Sequence, residues 1–242
     1  MTINRLLRSL GIVFLGLIGL VSCSRGAGAT SPKGLVGTVL AGPTMAPDFT
    51  LVDQHGLPFH LADTKGKVVV LTFLYTHCTD ICPFLTLKVR SAYNLLGADA
   101  GKVVFVGVTT DPERDTVAVE AAYSKATGLF DVWHFLTGTQ SEMKDLWARY
   151  GIGVHRESAA SGEQDSSPST GLAEAPSPTQ GLSTGDLDAA GRIIARFGGG
   201  YEVSHSAPFW MVDPAGDLRV VMDASALPSD IVKDARLLLG AR

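Results

Sequence analysis

Two kinds of apolar pattern alternate along the chain. The stretches 67–76 (KVVVLTFLYT) and 102–110 (KVVFVGVTT) are nearly unbroken and rich in β-branched residues. Runs of this kind predict strands buried on both faces of a sheet. Between them, 83–96 (PFLTLKVRSAYNLL) spaces its apolar residues at helical intervals and stops at Gly97, so a helix is predicted there. A second helix is predicted over 113–127, with Asp111 as a cap, Pro112 in the first turn and Glu113 at the positive end. A short strand at 133–137 (WHFLT) and a glycine-stopped helix at 141–151 (SEMKDLWARYG) follow. Strands are expected at 192–197 (RIIARF), 209–213 (FWMVD) and 218–223 (LRVVMD). The turn Pro214-Ala215-Gly216-Asp217 makes a hairpin of the last two. An amphipathic helix over 227–241 closes the chain, and 54–60 (QHGLPFH) reads as an N-terminal hairpin. The order predicts an α/β sandwich, a mixed central sheet flanked by helices.

Two stretches stand outside this pattern. Arg5 and Arg8 precede the apolar run 10–22 (LGIVFLGLIGLVS). Thirteen residues fall short of the roughly 20 that span a bilayer as a helix, and the basic flank and small residues that follow mark a secretory signal. Its end, Leu20-Val21-Ser22-Cys23, resembles the bacterial lipobox, in which cleavage precedes the cysteine and its thiol is lipidated. The expected organisation is a lipoprotein signal peptide at 1–22, a membrane tether at 23–44 and a folded domain at 45–242. The second stretch, about 157–188, is rich in Ser, Gly, Pro, Thr and Ala. It has too few large apolar residues to offset its ordering entropy and reads as a flexible insertion within the domain.

Charge narrows the function. Twenty basic and 24 acidic residues give a net charge of −4, which excludes a strongly basic nucleic-acid binder. The three cysteines are too few for a disulfide-stapled framework. With Cys23 assigned to lipid, Cys78 and Cys82 remain, four apart, in a compartment where thiols oxidise. They lie between the end of the first buried strand and the helix that begins at Pro83. Free N–H groups and a partial positive charge at a helix N-terminus favour thiolate over thiol. One helical turn places both sulfurs on one side, able to form a disulfide or to hold a soft metal together. A disulfide closing so short a loop adds little stability, which argues for a functional pair.

The run 73–83 (FLYTHCTDICP) resembles the signature of the Sco/SenC copper chaperones, Y-T-x-C-x-D-x-C-P. Four further segments agree in order: 46–51 with Gly66-Lys67; 110–116 (TDPERDT); Leu136-Thr137-Gly138 with Tyr150-Gly151; and 201–206 (YEVSHS) with 213–216 (DPAG). The resemblance implies a thioredoxin-like fold and one copper ion per chain, held by Cys78, Cys82 and His205. It also implies a Cys78–Cys82 disulfide as the oxidised state. Thiolates suit Cu(I) and imidazole suits Cu(II), so the set accommodates both. The implied partners are the copper-bearing subunit of cytochrome c oxidase or another copper chaperone, met at a membrane to which Cys23 anchors the chain. Thr79 stands where the family usually has proline, and Ser204 where an acidic residue often precedes the histidine.

His205 is expected in a loop facing the cysteine turn, with His77 the rival ligand, though its side chain should point away from that of Cys78. Asp80 is either a tuning or partner-contacting carboxylate or a helix cap. His55, His60 and His134 read as surface or packed residues, and His155 as a residue bordering the insertion. Asp111, Glu113, Arg114 and Asp115 read as a cap and first-turn charges. The alternative function is a thiol–disulfide oxidoreductase in which Cys78 attacks and Cys82 resolves. The extra residue beyond a C-x-x-C, and a histidine with no role in exchange, favour copper.

Overall fold

The computed structural model describes residues 32–157, 177 and 179–240. The proposed signal peptide and Cys23 lie outside these residues, as does most of the polar stretch after Glu157. No helix among the described residues is long and apolar enough to cross a membrane.

Among the described residues, ten strands and five α-helices form the fold. In chain order these are β1 (Thr38–Met45), β2 (Thr50–Asp53), β3 (Pro58–His60), β4 (Val68–Leu74), α1 (Cys82–Leu96), β5 (Val103–Thr109), α2 (Val117–Thr127), β6 (Trp133–Thr137), α3 (Gln140–Arg149), β7 (Val154–Arg156), α4 (Thr184–Phe197), β8 (Val203–His205), β9 (Phe209–Val212), β10 (Asp217–Met222) and α5 (Pro228–Gly240). Eight strands make one sheet in the order β1-β10-β9-β4-β5-β6-β2-β3, and β7 and β8 form a separate two-stranded ribbon. The centre, β4-β5-β6, is parallel; β9, β10, β1, β2 and β3 join it antiparallel. This is the expected thioredoxin-like sandwich, with the β2–β3 hairpin near its N-terminus.

Strand β4 is buried at all seven positions, because helices cover both of its faces. Val68, Val70 and Leu74 pack with Leu85 of α1, Tyr123 of α2, Ile193 of α4 and Leu238 of α5. Val69, Leu71 and Phe73 pack with Met143, Leu146 and Trp147 of α3 on the other side. Fully burying one such aliphatic side chain contributes about 1.5–3 kcal/mol, so the two faces hold β4, and the turn that follows it, rigidly.

Several expectations need correction. RIIARF (192–197) is the end of α4, not a strand. Ser183 and Asp186 form a capping box, and Ala190 and Ile193 recur at helical spacing on the buried face. Helix α4 therefore starts within the stretch read as an insertion. Helix α2 begins at Val117, with the Thr116 hydroxyl accepting from the Val119 N–H. Residues 111–115 instead form a turn whose Asp111 and Asp115 are buried. The sheet also begins before Met45. Strand β1 begins within the stretch assigned to the tether and pairs with β10 across a bulge between Val39 and Thr44. Finally, His205 is the last residue of strand β8, paired with Val154 of β7, rather than part of a loop.

Candidate metal centre

Strand β4 runs into Tyr75 and Thr76, the chain turns through 77–81, and α1 starts at Cys82 with Pro83 in its first turn. Proline suits this position because it has no N–H to leave unpaired. The turn brings Cys78 back over the start of α1. Both cysteines are free thiols, so the expected disulfide is not formed in this structure. Cys82 is fully buried and Cys78 is 4% exposed.

The two sulfurs differ sharply in acidity. The Cys82 thiol donates to Cys78 and is the largest influence on it. Burial opposes this, while the N–H groups of Cys82 and Asp80 add to it. The result brings Cys78 down to about 7. Cys82 moves the other way, well above the usual thiol range, because it is desolvated and lies beside the charge of Cys78 and, more weakly, of Asp115. Near neutral pH Cys78 therefore exchanges between thiol and thiolate, while Cys82 keeps its proton.

His205 meets this pair from the ribbon, its Nε2 3.7 Å from Cys82 Sγ. Its Nδ1 is 3.0 Å from the Ser206 carbonyl, which assigns the ring proton to Nδ1 and leaves the Nε2 lone pair facing the sulfur. Burial lowers the pKa of the ring below 6.5, only partly offset by the Ser206 bond, so the imidazole is neutral. A neutral imidazole fixed by a second-nitrogen bond to a carbonyl is the arrangement metal-binding histidines adopt. A sulfur and a nitrogen bound to one ion at about 2.3 and 2.1 Å stand about 3.6 Å apart. The Cys82–His205 separation fits that, and two sulfurs with one nitrogen make a soft donor set. Among the described residues no three His, Cys, Asp or Glu side chains stand close enough together to hold a metal ion as they are; Cys78 lines the same cleft as His205.

Cys78 and His205 line a cleft of about 380 Å³ whose walls also include Tyr75, Asp80, Glu157 and Glu202; Cys82 is not in its lining. A larger cavity of about 490 Å³ shares only Val203 with it and lies against Trp147, Lys144 and Arg156, with no cysteine or histidine in its lining. The thiol and imidazole chemistry belongs to the smaller cleft.

The other candidates separate clearly. His77 Nδ1 bonds the Thr76 hydroxyl at 2.8 Å and lies 3.8 Å from Asp115. Asp80 is exposed, and α1 has Ile81 at its cap position with no side-chain cap bond, so capping is not its role. His60 pairs with Asp48 and His134 with Asp53, while His55 bonds Gln54 and packs on Phe130. His155 is exposed on β7, opposite Ser204.

Sequence reasoning overlooked the groups that hold the cleft together. The Tyr75 hydroxyl donates to Glu202 at 2.7 Å and accepts the Val203 N–H at 3.1 Å. Asp115, read as a first-turn charge, is a buried hub: it accepts from the Thr76 N–H at 3.1 Å and from the hydroxyls of Thr76 and Thr109 at 2.5 and 2.6 Å. Threonines at the ends of two adjacent buried strands signal the need for such a partner. Asp111 is also buried; it bonds Arg114 and receives the Tyr201 hydroxyl at 2.7 Å. The Arg114 guanidinium lies 3.6 Å from the centre of the Tyr201 ring and donates to the Gly199 carbonyl.

The family model described as SCO1/SenC matches residues 38–172, more than half of the chain. The chain belongs to the SCO1/SenC family. The SCO2 homolog, mitochondrial, of Bos taurus is 44% identical over 78 residues, 31% of this chain and 29% of that protein. The chain spans about half or less of the length of the curated relatives it matches. Among solved structures, apo Sco1 from Thermus thermophilus is 26% identical with a TM-score of 0.59, covering 84% of this chain and 96% of that one. Copper-bound ScoI from Bradyrhizobium japonicum is 21% identical with a TM-score of 0.58, covering 80% of this chain and 98% of its own, and it shares the fold. In this SCO1/SenC chain, the turn between β4 and α1 carries Cys78 and brings Cys82 within 3.7 Å of His205 on the ribbon.

Proposed function

We propose that this chain carries copper outside the cytoplasm, one ion per chain, bound by Cys78, Cys82 and His205. The observation that carries the reading is the approach of His205 Nε2 to Cys82 Sγ at 3.7 Å, with Cys78 lining the same cleft as His205. The copper in the Bradyrhizobium relative supports the same reading. The ion passes to the copper-bearing subunit of cytochrome c oxidase or is exchanged with another copper chaperone. Donor and acceptor thiolates share it during transfer. Cys23, lipidated after removal of residues 1–22, holds the chain at the bacterial cell membrane. The Asp80 carboxylate, on the cleft wall, tunes the thiolates or meets the partner. Titrating the reduced full chain with copper tests this. One equivalent binds, thiolate-to-Cu(II) absorption appears, and His205→Ala weakens Cu(II) by at least about tenfold while changing Cu(I) by only a few-fold. Unchanged Cu(II) affinity in that variant removes His205 from the site.

The low pKa of Cys78 supports a second activity of the same pair, reduction of a partner disulfide. The Cys78 thiolate attacks one partner sulfur, forming a mixed disulfide and releasing the other as thiolate. Cys82 then loses its proton and attacks Cys78, closing the Cys78–Cys82 bond and releasing the second partner thiol. Two electrons pass to the partner. Exchange against a glutathione buffer measures it; reducing poise without copper affinity would make this the main function.

A further inference from the structure

The β7–β8 ribbon stands apart from the main sheet, so something else must set the distance between His205 and the cysteines. Around its base, the Gly199 N–H bonds the His77 carbonyl at 3.2 Å, Arg114 bonds the Gly199 carbonyl, and the Thr79 hydroxyl bonds Glu202 at 3.2 Å. These ties end at Gly199 and Glu202, three or more residues before His205. Beside the core packing of Val203 and the approach of His205 to Cys82, a hydrogen bond from the end of β4 reaches into β8 itself. The buried Tyr75, next after the last residue of β4, takes the N–H of Val203 on its hydroxyl oxygen and gives its proton to Glu202. Its ring also stands edge-on to the His205 ring, 5.8 Å between centroids and 70° between planes. Val203 is two residues from His205, so both side chains point to the same side of the strand. The same tyrosine lies beside Cys78 in the cleft wall. It therefore touches the strand that carries the imidazole and the turn that carries the thiolate.

We propose that Tyr75 is a positioning residue: its hydroxyl, fastened between Glu202 and Val203, fixes the His205 imidazole at the separation from the cysteines that lets it serve as third ligand. The inference rests on the copper reading above. Tyr75 touches no ion; it acts through His205. Its loss affects the oxidation state that uses the imidazole and spares the one that two thiolates satisfy. Supporting groups of this kind are worth about 10–100-fold in metal affinity.

The test uses the full chain with copper ions as the probe. Tyr75→Phe keeps the ring and removes the hydroxyl. It weakens Cu(II) binding by at least about tenfold, shifts the thiolate-to-Cu(II) absorption, and leaves Cu(I) affinity within about threefold. In a His205→Ala background, Tyr75→Phe has no further effect on Cu(II), because the group it positions is gone. Should Tyr75→Phe fail to fold, Glu202→Ala removes the hydroxyl's acceptor, and the same loss, again absent in the His205→Ala background, is expected. Cu(II) affinity within twofold of wild type in the folded variant, or an equal loss with and without His205, overturns the proposal. His205→Ala binding Cu(II) as wild type does would instead overturn the copper reading, and this proposal with it.

Discussion

Cys78 receives the Cys82 thiol proton and the N–H groups of Cys82 and Asp80, whereas Cys82, sealed inside, faces the charges of Cys78 and Asp115. Two identical side chains four residues apart thus become a nucleophile and a proton holder. Alkylation of Cys78 in the reduced protein should follow a titration with a midpoint near 7. In Cys82→Ala the midpoint should rise, because the largest cause of the shift is gone. A wild-type midpoint near the ordinary 9 would contradict this assignment. A second buried acid behaves differently. Both Glu120 carboxyl oxygens are buried without a hydrogen-bond partner. Burial, with the charges of Asp115 and Asp53, raises its pKa well above 4.5. Above that value the folded chain still holds this proton while the unfolded chain has released it. Stability then falls as pH rises. Glu120→Met, which removes the acid at similar volume, should therefore stabilise by about 1 kcal/mol or more at pH 8 and much less at pH 4. Urea unfolding at both values checks it; an equal effect at both would count against a buried neutral carboxyl.

At the level of elements, the ribbon, the glycines before it and the cysteine turn act as one unit. A Cβ on Gly198 would stand 2.6 Å from the Ile194 carbonyl oxygen and 2.9 Å from Thr79 Cγ2, inside the turn that carries Cys78. Gly198→Ala should cost about 1–3 kcal/mol of stability and move the Cys78 alkylation midpoint; unchanged unfolding and alkylation would show that this contact carries no strain. How legible each element was follows from how local its cause is. Strands β4 and β5 and helices α1 and α3 could be read because their burial is written as an unbroken run or a helical period. RIIARF looked like a strand because six residues show too little of the period; the Ser183–Asp186 box nine residues upstream decides it. Strand β1, with Gly42 and Pro43 inside it, has no strand pattern of its own and is made by pairing with β10. The cysteine turn was readable because strand, thiols and helix start are contiguous. His205, 123 residues from Cys82, entered only through the family resemblance. Tyr75 and Glu202 were invisible because their roles exist only once the ribbon folds back.

Across the whole molecule, the sheet is closed at one edge by residues that composition assigned to the tether. Asp234 of α5 accepts the N–H groups of Val36 and Gly37 at 2.8 and 2.9 Å, fastening the chain just before β1. A chain beginning at residue 46 would leave the β10 edge unpaired and Asp234 without these donors. Relative to one beginning at residue 32, it should lose about 2–4 kcal/mol, at about 1 kcal/mol per bond less the ordering entropy of the strand. Equal urea midpoints would mean that β1 adds nothing. The same arrangement ties any anchor upstream to the β10 edge, while the cleft opens where β4 ends and β8 approaches. On the copper reading proposed above, two sulfurs from one turn and an imidazole from a distant ribbon meet on a single ion. X-ray absorption at the copper edge of the loaded, full-length protein tests this most directly. Two sulfur ligands and one imidazole on a single copper per chain are predicted. A copper with fewer than two sulfurs, or with no imidazole in the Cu(II) form, would contradict the account.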